Sequence, residues 1–208
     1  MNTKPNIHLV HGDLPDGLTF PNGMVAVDTE TTGLNVTEDK LCLCQVGDGQ
    51  GNAWLVKFDG DYSAPNLKAL LANPRLLKLF HFARFDVAIL QHNLGVEVTP
   101  VFCSKIASKL LRTDGQKHNL RTLVQEYCGV TLDKSEQMSD WSLPELSESQ
   151  QHYAASDVLY LHTIFEKMAD QLMQANLNHI LGESLKFLST RVEMDLRGLP
   201  EGDVFSHK

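Results

Sequence analysis

Short apolar runs separated by turn residues fill the first half of the 208-residue chain, and this pattern constrains the fold most. The run at 24–28 has the composition of a buried strand, and the runs at 41–46 and 53–58 flank a glycine-rich turn, GDGQG, at 47–51. These three runs predict an antiparallel meander. Further runs at 7–10, 76–80 and 98–102 predict three more strands, the first of them at a sheet edge.

The second half has helical periodicity. Short helices are already predicted at 67–71 and 85–90, and apolar residues at 106–111 and 120–127 predict two more. The apolar residues at 129–146 follow neither a helical nor a strand period, which predicts an irregular connection. Ser147 and Gln150 form a capping-box pattern that opens a long helix with an apolar stripe reaching Leu172, and a last helix is predicted at about 175–197.

Composition excludes several classes of protein. No apolar run approaches the roughly 20 residues of a membrane span, and the N-terminus lacks a secretory pattern. Four cysteines are too few for a disulfide scaffold, so a reducing cytoplasm is expected. The net charge of −8 argues against a large positive face for long nucleic acid. A polyanionic substrate must then be short, bridged by metal, or held by a local basic patch.

Acidic residues occur where predicted strands end. Asp28 and Glu30 stand at i and i+2 on the strand that begins at 24, so both face one side, and Asp86 follows the strand at 76–80. Each acid alone also fits a solvated or ion-paired surface group. A divalent cation is the alternative that compensates several close carboxylates.

Tyr153 and Asp157 stand at i and i+4 on the long helix and therefore share a face. Taken singly, they fit a core tyrosine and an ion-paired aspartate. Taken with Asp28, Glu30 and Asp86, they form an ordered set of four carboxylates and a phenol. Such a set suits two hard divalent ions that act on a phosphodiester.

Three segments carry a resemblance to a known family: VDTETTGL at 27–34, HFARFD at 81–86 and YAASD at 153–157. They resemble the three motifs of the DEDDy 3′→5′ exonucleases, and LDKSEQ at 132–137 with SDW at 139–141 is similar to ribonuclease D. The resemblance covers about residues 20–170. Ribonuclease D has further C-terminal helical domains, and with 208 residues this chain is expected to lack them. The chain therefore looks closest to the short stand-alone members of the nano-RNase C type.

The resemblance implies an α/β, ribonuclease H-like exonuclease fold: a mixed central sheet flanked by helices, with a C-terminal helical extension. It implies one domain over 1–208, with a core at about 20–173. It also implies a pair of Mg²⁺ or Mn²⁺ ions, short single-stranded RNA as substrate, DNA as a further possible substrate, and a ring of identical subunits.

The resemblance also assigns residues. Asp28, Glu30, Asp86 and Asp157 are implied as metal ligands, and Tyr153 as the group that orients the attacking water. Thr31 is implied to contact the 3′-terminal sugar and Leu34 to wedge against the terminal base, with Phe85 in support. His81 and Arg84 are further substrate-binding candidates. For Leu34 and Phe85 core packing is the alternative, and for Arg84 an ion pair.

A basic cluster at 105–121 is conspicuous in so acidic a chain. Its members are Lys105, Lys109, Arg112, Lys117 and Arg121, and Asp114 is the acid among them. We predict a phosphate site that uses Arg112, Lys117 and His118; the alternative is a solvated helix face and loop.

Three functions remain open from the sequence. The leading one is a metal-dependent 3′→5′ exoribonuclease that acts on very short RNA, including dinucleotides. A second is an exonuclease of the same fold that trims longer RNA, such as tRNA 3′ ends, or DNA, or that proofreads for a polymerase. A third is a non-catalytic nucleic-acid-binding module, which the complete set of acids disfavours.

Overall fold

The computed structural model describes residues 4–133, 135–200, 202 and 204–206. Lys134, in the stretch that resembles ribonuclease D, lies outside them. The described chain contains six strands and seven helices: β1 (Asn6–His11), β2 (Met24–Thr31), β3 (Leu41–Gly47), β4 (Asn52–Lys57), α1 (Pro65–Ala72), β5 (Leu77–Phe80), α2 (Ala83–Leu94), β6 (Val101–Cys103), α3 (Ser104–Leu111), α4 (Leu120–Cys128), α5 (Glu148–Leu159), α6 (Leu161–Gln174) and α7 (Asn178–Leu196).

The strands form one mixed sheet in the order β1-β4-β3-β2-β5-β6. Strands β2, β3 and β4 pair antiparallel, which confirms the predicted meander. The pairs β1·β4, β2·β5 and β5·β6 are parallel, so the central sheet is mixed as the resemblance implied. The strand at the N-terminus lies at one edge, as predicted.

Helices cover both faces of the sheet, which is why its central strands read as nearly continuous apolar runs. Residues of α1, α2 and α7 pack on one face, and residues of α4, α5 and α6 pack on the other. In β2, Val25 and Val27 face the first group, whereas Ala26 faces the second. Because strand side chains alternate, Asp28 follows Ala26 toward the face that carries α5.

The prediction of one long helix from 147 to 172 is wrong in one respect. The capping box of Ser147 and Gln150 is present, but the helix divides at Tyr160 into α5 and α6. At the division Val158 packs against Gly47, where a Cβ would be tightly crowded, and His162 packs against Gly49 so closely that a Cβ would collide. Packing against the β3–β4 turn thus redirects the chain, and neither proline nor glycine marks the place in the sequence.

The irregular connection at 129–146 is fixed at both ends by buried apolar side chains. Leu132 and Trp141 are buried, and the Gln150 amide donates hydrogen bonds to Ser139 Oγ and to the Asp140 carbonyl. The connection therefore docks on α5, beside the residues that the motifs predicted. Within the described chain, none of the helices has both the length and the apolar character needed to cross a membrane.

Candidate active site

Three carboxylates converge where β2 meets α5. Asp28 and Glu30 come from β2 and Asp157 from α5, and one oxygen from each lies within 4.8 Å of the others. Asp28 and Glu30 share a strand face because they stand two residues apart, and Asp157 comes from the helix packed on that face. The predicted convergence of these three acids is therefore present.

The fourth acid, Asp86, approaches from the first turn of α2. Asp86 is 3% exposed, and its carboxylate accepts a hydrogen bond of 2.7 Å from the Thr29 hydroxyl. Thr29 lies between the two β2 acids and points to the opposite face, so it links the α2 side of the sheet to the cluster. The Asp86 charge acts on Asp28, Glu30 and Asp157 alike.

The pKa values of these four acids are all raised. Burial, and then repulsion by Asp157 and Asp86, raises the pKa of Glu30 to about 9. Burial raises the pKa of Asp86 to about 7. Burial, and then repulsion by Asp86, raises the pKa of Asp157 to about 7 as well. The pKa of Asp28 is raised well above its usual value by burial and then by the other three acids.

The cluster fits a divalent cation. Among the residues that the structure describes, no lysine or arginine forms an ion pair with any of these four acids. Carboxylate oxygens are the ligands that Mg²⁺ and Mn²⁺ prefer. A cation would relieve the repulsion that raises the pKa values, so the donor set and its electrostatics both suit a metal.

Gln45 is a part of the site that the sequence analysis missed. It is fully buried on β3, opposite Asp28 in the antiparallel register, and its Nε2 lies 3.4 Å from an Asp28 carboxylate oxygen. The same side chain also interacts with Glu30, whereas its Oε1 has no partner. A lone polar residue within the apolar run 41–46 was the signal that could have identified it.

Tyr153 lies one helical turn before Asp157 and lines the same cleft. Its ring packs on Trp141 with centroids 5.9 Å apart, so the connection at 129–146 supports it. Burial, followed by the charges of Asp157, Glu30 and Asp28, raises the pKa of its hydroxyl. The phenol therefore stays protonated at neutral pH.

A cleft of about 350 Å³ opens beside the acids. Asp28, Tyr153 and Asp157 line it together with His81, one of the predicted substrate-binding residues. Lys105 and Arg121 of the predicted basic cluster also line it, and its lining residues without a predicted role are Phe82, Asn119, Leu120, Leu132, Asp133 and Gln137. Lys105 Nζ sits 3.9 Å from the centre of the Phe82 ring, and it and Arg121 are the members of the predicted basic cluster that reach the cleft.

A second hollow of about 540 Å³ shares one lining residue with the cleft, Phe82. Leu34 and Phe85 line it, and Leu34 is 86% exposed, which favours an apolar contact surface over core packing. Thr31, at the end of β2, donates its hydroxyl hydrogen to the Gly33 carbonyl, which leaves its oxygen lone pairs as acceptors.

The other residues predicted to contact the substrate, Arg84, Arg112, Lys117 and His118, do not line the cleft beside the acids. Arg84 lines the second hollow but donates two hydrogen bonds of 2.6 and 2.7 Å to Asp195 of α7. Arg112 is buried, pairs with Glu126 and stacks over Tyr127, which favours a packing role over a phosphate contact. Lys117 is exposed, and neither it nor His118 lines the cleft.

Comparison with known proteins identifies the family. Residues 17–173 match the family model described as 3′-5′ exonuclease. The chain belongs to the 3′-5′ exonuclease family. Relatives and solved structures place this exonuclease in the ribonuclease D-like, DEDDy branch, in agreement with the motifs.

Two kinds of relatives differ in how much of each chain matches. Ribonuclease D of Shewanella sp. is 35% identical to this chain over the matched region. That region covers 72% of this chain but only 38% of the Shewanella protein. The structure of Brucella melitensis NrnC bound to pGG superposes on this chain with a TM-score of 0.94 at 41% sequence identity. The match covers 99% of this chain and 100% of the NrnC chain. Another B. melitensis NrnC structure contains bound Mg²⁺ and has a TM-score of 0.91 at 41% identity, with 98% of this chain and all of that one covered. This exonuclease thus spans less than half the length of its ribonuclease D relatives.

Proposed function

We propose that this protein hydrolyses very short single-stranded RNA, including dinucleotides, from the 3′ end and releases nucleoside 5′-monophosphates. The observation that carries the proposal is the convergence of Asp28, Glu30 and Asp157, with Asp86 buried beside them and Tyr153 at the rim. These close carboxylates have no ion-paired lysine or arginine in the described chain, and such a site suits a metal-dependent phosphodiesterase.

The four acids would hold a pair of Mg²⁺ or Mn²⁺ ions. When bound, such ions neutralise developing charge on the phosphate and lower the pKa of a water molecule. Asp86 is held for this role by the Thr29 hydroxyl, and Asp28 by the Gln45 amide.

Tyr153 would orient the attacking water. Because its pKa is raised, the hydroxyl is not a general base and acts by a hydrogen bond. Attack at phosphorus then breaks the bond to the 3′-oxygen of the preceding nucleotide, and the terminal nucleotide leaves with the phosphate.

The cleft beside the acids and the hollow that shares Phe82 with it would each take one nucleotide of a short substrate. Leu34 and Phe85 give the second hollow an apolar lining for the terminal base, and the Thr31 oxygen would accept a hydrogen bond from the terminal sugar. In the cleft, positive charge comes from Lys105 and Arg121. Two cations suit one or two phosphates, and the net charge of −8 disfavours a long polyanion. The NrnC structure bound to pGG, a two-nucleotide ligand by its name, gives independent support.

Digestion of end-labelled RNA from two to twenty nucleotides, with a matched DNA series, tests the proposal. We expect Mg²⁺- or Mn²⁺-dependent release of mononucleotides, fastest for dinucleotides, and loss of all cleavage in Asp28→Ala. Dinucleotides that persist while longer RNA or DNA is trimmed would favour the longer-substrate exonuclease, which the ribonuclease D relatives make the second candidate. Binding without cleavage would leave only a nucleic-acid-binding module.

The proposal includes a reducing cytoplasmic setting and an assembly of identical subunits. All four cysteines are free thiols, as expected in a reducing compartment. On α7, Leu181 and Leu188 are buried within the subunit, whereas Ile180 and Phe187 are each about 40% exposed and are available to a neighbouring subunit. Light scattering of the purified protein would measure the number of subunits.

A further inference from the structure

His81 has a defined tautomer in this fold. It directly follows β5, and its Nδ1 lies 2.9 Å from Ser104 Oγ. The Ser104 hydroxyl donates its single hydrogen to the Phe80 carbonyl at 3.1 Å. Ser104 must therefore accept a hydrogen bond from His81, so Nδ1 carries the ring proton and Nε2 presents a lone pair.

The Nε2 atom is available to a ligand. His81 lines the cleft beside Asp28, Tyr153 and Asp157. Within the described chain no hydrogen bond engages Nε2, and the buried polar atoms that lack a partner there are Gln45 Oε1 and His162 Nδ1, so Nε2 is open to the cleft. Burial, and then the nearby Lys105 ammonium, lowers the pKa of His81 to about 3, which keeps the ring neutral in the physiological range.

An acceptor in this position selects its partner by chemistry. Phosphate oxygens are also acceptors and would be repelled by the lone pair, whereas a sugar hydroxyl can donate to it. If the hollow lined by Leu34 and Phe85 takes the terminal nucleotide, the cleft that shares Phe82 with it and holds the acids takes the nucleotide before it. This step rests on the function proposed above.

We propose that His81 Nε2 accepts a hydrogen bond from the 2′-hydroxyl of the nucleotide on the 5′ side of the scissile phosphate, and that this contact gives the enzyme a preference for ribose over deoxyribose. The 3′-oxygen of that sugar is the leaving group, so the contact also fixes the sugar next to the bond that breaks. Ser104 is the positioning residue, because it holds the tautomer.

Four dinucleotides of one sequence test the proposal: the all-ribose form, the two forms with one 2′-deoxy sugar, and the all-deoxy form. With the wild-type protein and Mg²⁺ we expect kcat/KM to fall roughly three- to tenfold when the 5′-side sugar is deoxy, the range for one hydrogen bond. The matched variant is His81→Phe, which keeps an aromatic ring but has no acceptor. It should lose a similar factor on the all-ribose substrate and show no further penalty for the 5′-side deoxy sugar.

Each outcome of this experiment has a definite meaning. A wild-type penalty confined to the 3′-side sugar, or no penalty at either sugar, overturns the assignment without a need for any variant. A full 5′-side penalty that persists in folded His81→Phe overturns it as well. Ser104→Ala, which leaves His81 in place, should reduce the 5′-side penalty. Failure of the wild type to cleave even the all-ribose dinucleotide would instead overturn the proposed function.

Discussion

The aspartate on α7 and those of the acidic cluster have contrasting surroundings. Asp195, on α7, accepts hydrogen bonds from Arg84 and Arg191, both within 2.6–3.1 Å. Burial acts to raise the pKa of Asp195, but these guanidinium groups outweigh it and lower the pKa below its usual value. In the candidate active site Asp28, Asp86 and Asp157 have raised pKa values, because they are buried and, among the described residues, have acids and no ion-paired base beside them.

The contrast separates structural charge from functional charge. The Arg84–Asp195 pair ties α2, which carries Asp86, to the C-terminal helix, and it is complete within the chain. The acidic cluster is complete only when a cation from outside is added. We therefore expect the Arg84–Asp195 pair to stabilise the fold and the four clustered acids to bind a ligand.

The largest expected effect comes from Asp28→Asn, which removes one charge and keeps the shape. We expect hydrolysis of a dinucleotide to fall about 1000-fold or more, since a lost metal ligand removes several kcal/mol of transition-state stabilisation. The melting temperature in metal-free buffer should stay the same or rise, because repulsion in the cluster decreases. A large drop in melting temperature would place Asp28 in the structural class with Asp195.

Tyr153→Phe should have the next largest effect. Loss of the hydroxyl should lower kcat by about 100-fold, within the range for a positioned proton-transfer or water-orienting group. KM should change little, and the Trp141 contact should hold the ring in place. Wild-type kcat in this variant would exclude water positioning by Tyr153.

Asp195→Asn tests the other side of the comparison. It leaves Arg84 and Arg191 with a weaker acceptor, and we expect the free energy of unfolding to fall by about 2 kcal/mol, less than for a fully buried pair because Arg84 is partly exposed. Chemical denaturation would measure the change. Dinucleotide cleavage by the folded variant should remain within about tenfold of wild type, and loss as severe as in Asp28→Asn would show that the pair acts in catalysis.

A further expected effect is a decline of folding stability with rising pH. The folded pKa values of the four acids lie above their unfolded values of about 4, so the folded state binds more protons between pH 4 and about 9. The stability that these groups contribute is complete below pH 4 and is lost as the pH rises through 7 toward 9. Denaturation in a chelator should show this decline, and millimolar Mg²⁺ should flatten it; equal slopes with and without Mg²⁺ would contradict it.

The sequence was informative where the signal is local. Asp28 and Glu30 at i and i+2 on a strand, and Tyr153 and Asp157 at i and i+4 on a helix, each fix a shared face without knowledge of the rest of the fold. The meander was likewise visible, because its turn is glycine-rich and its strands are short and apolar.

The sequence was uninformative where partners are distant or unmarked. Arg84 and Asp195 are 111 positions apart, so the pair that occupies Arg84 has no local signature. The division at Tyr160 depends on how closely α5 and α6 approach Gly47, at the end of β3, and Gly49, in the turn that follows. The basic cluster was visible, but which of its members face the cleft depends on the relative placement of α3 and α4.

Calorimetric titration with Mn²⁺ at pH 7.5 tests the central claim most directly, because it measures whether the four clustered carboxylates bind a divalent cation. The wild type and Asp195→Asn should both bind Mn²⁺, whereas Asp28→Asn and Asp157→Asn should bind at least tenfold more weakly while keeping the wild-type circular dichroism spectrum. Equal Mn²⁺ binding by the wild type and these two cluster variants would contradict the account.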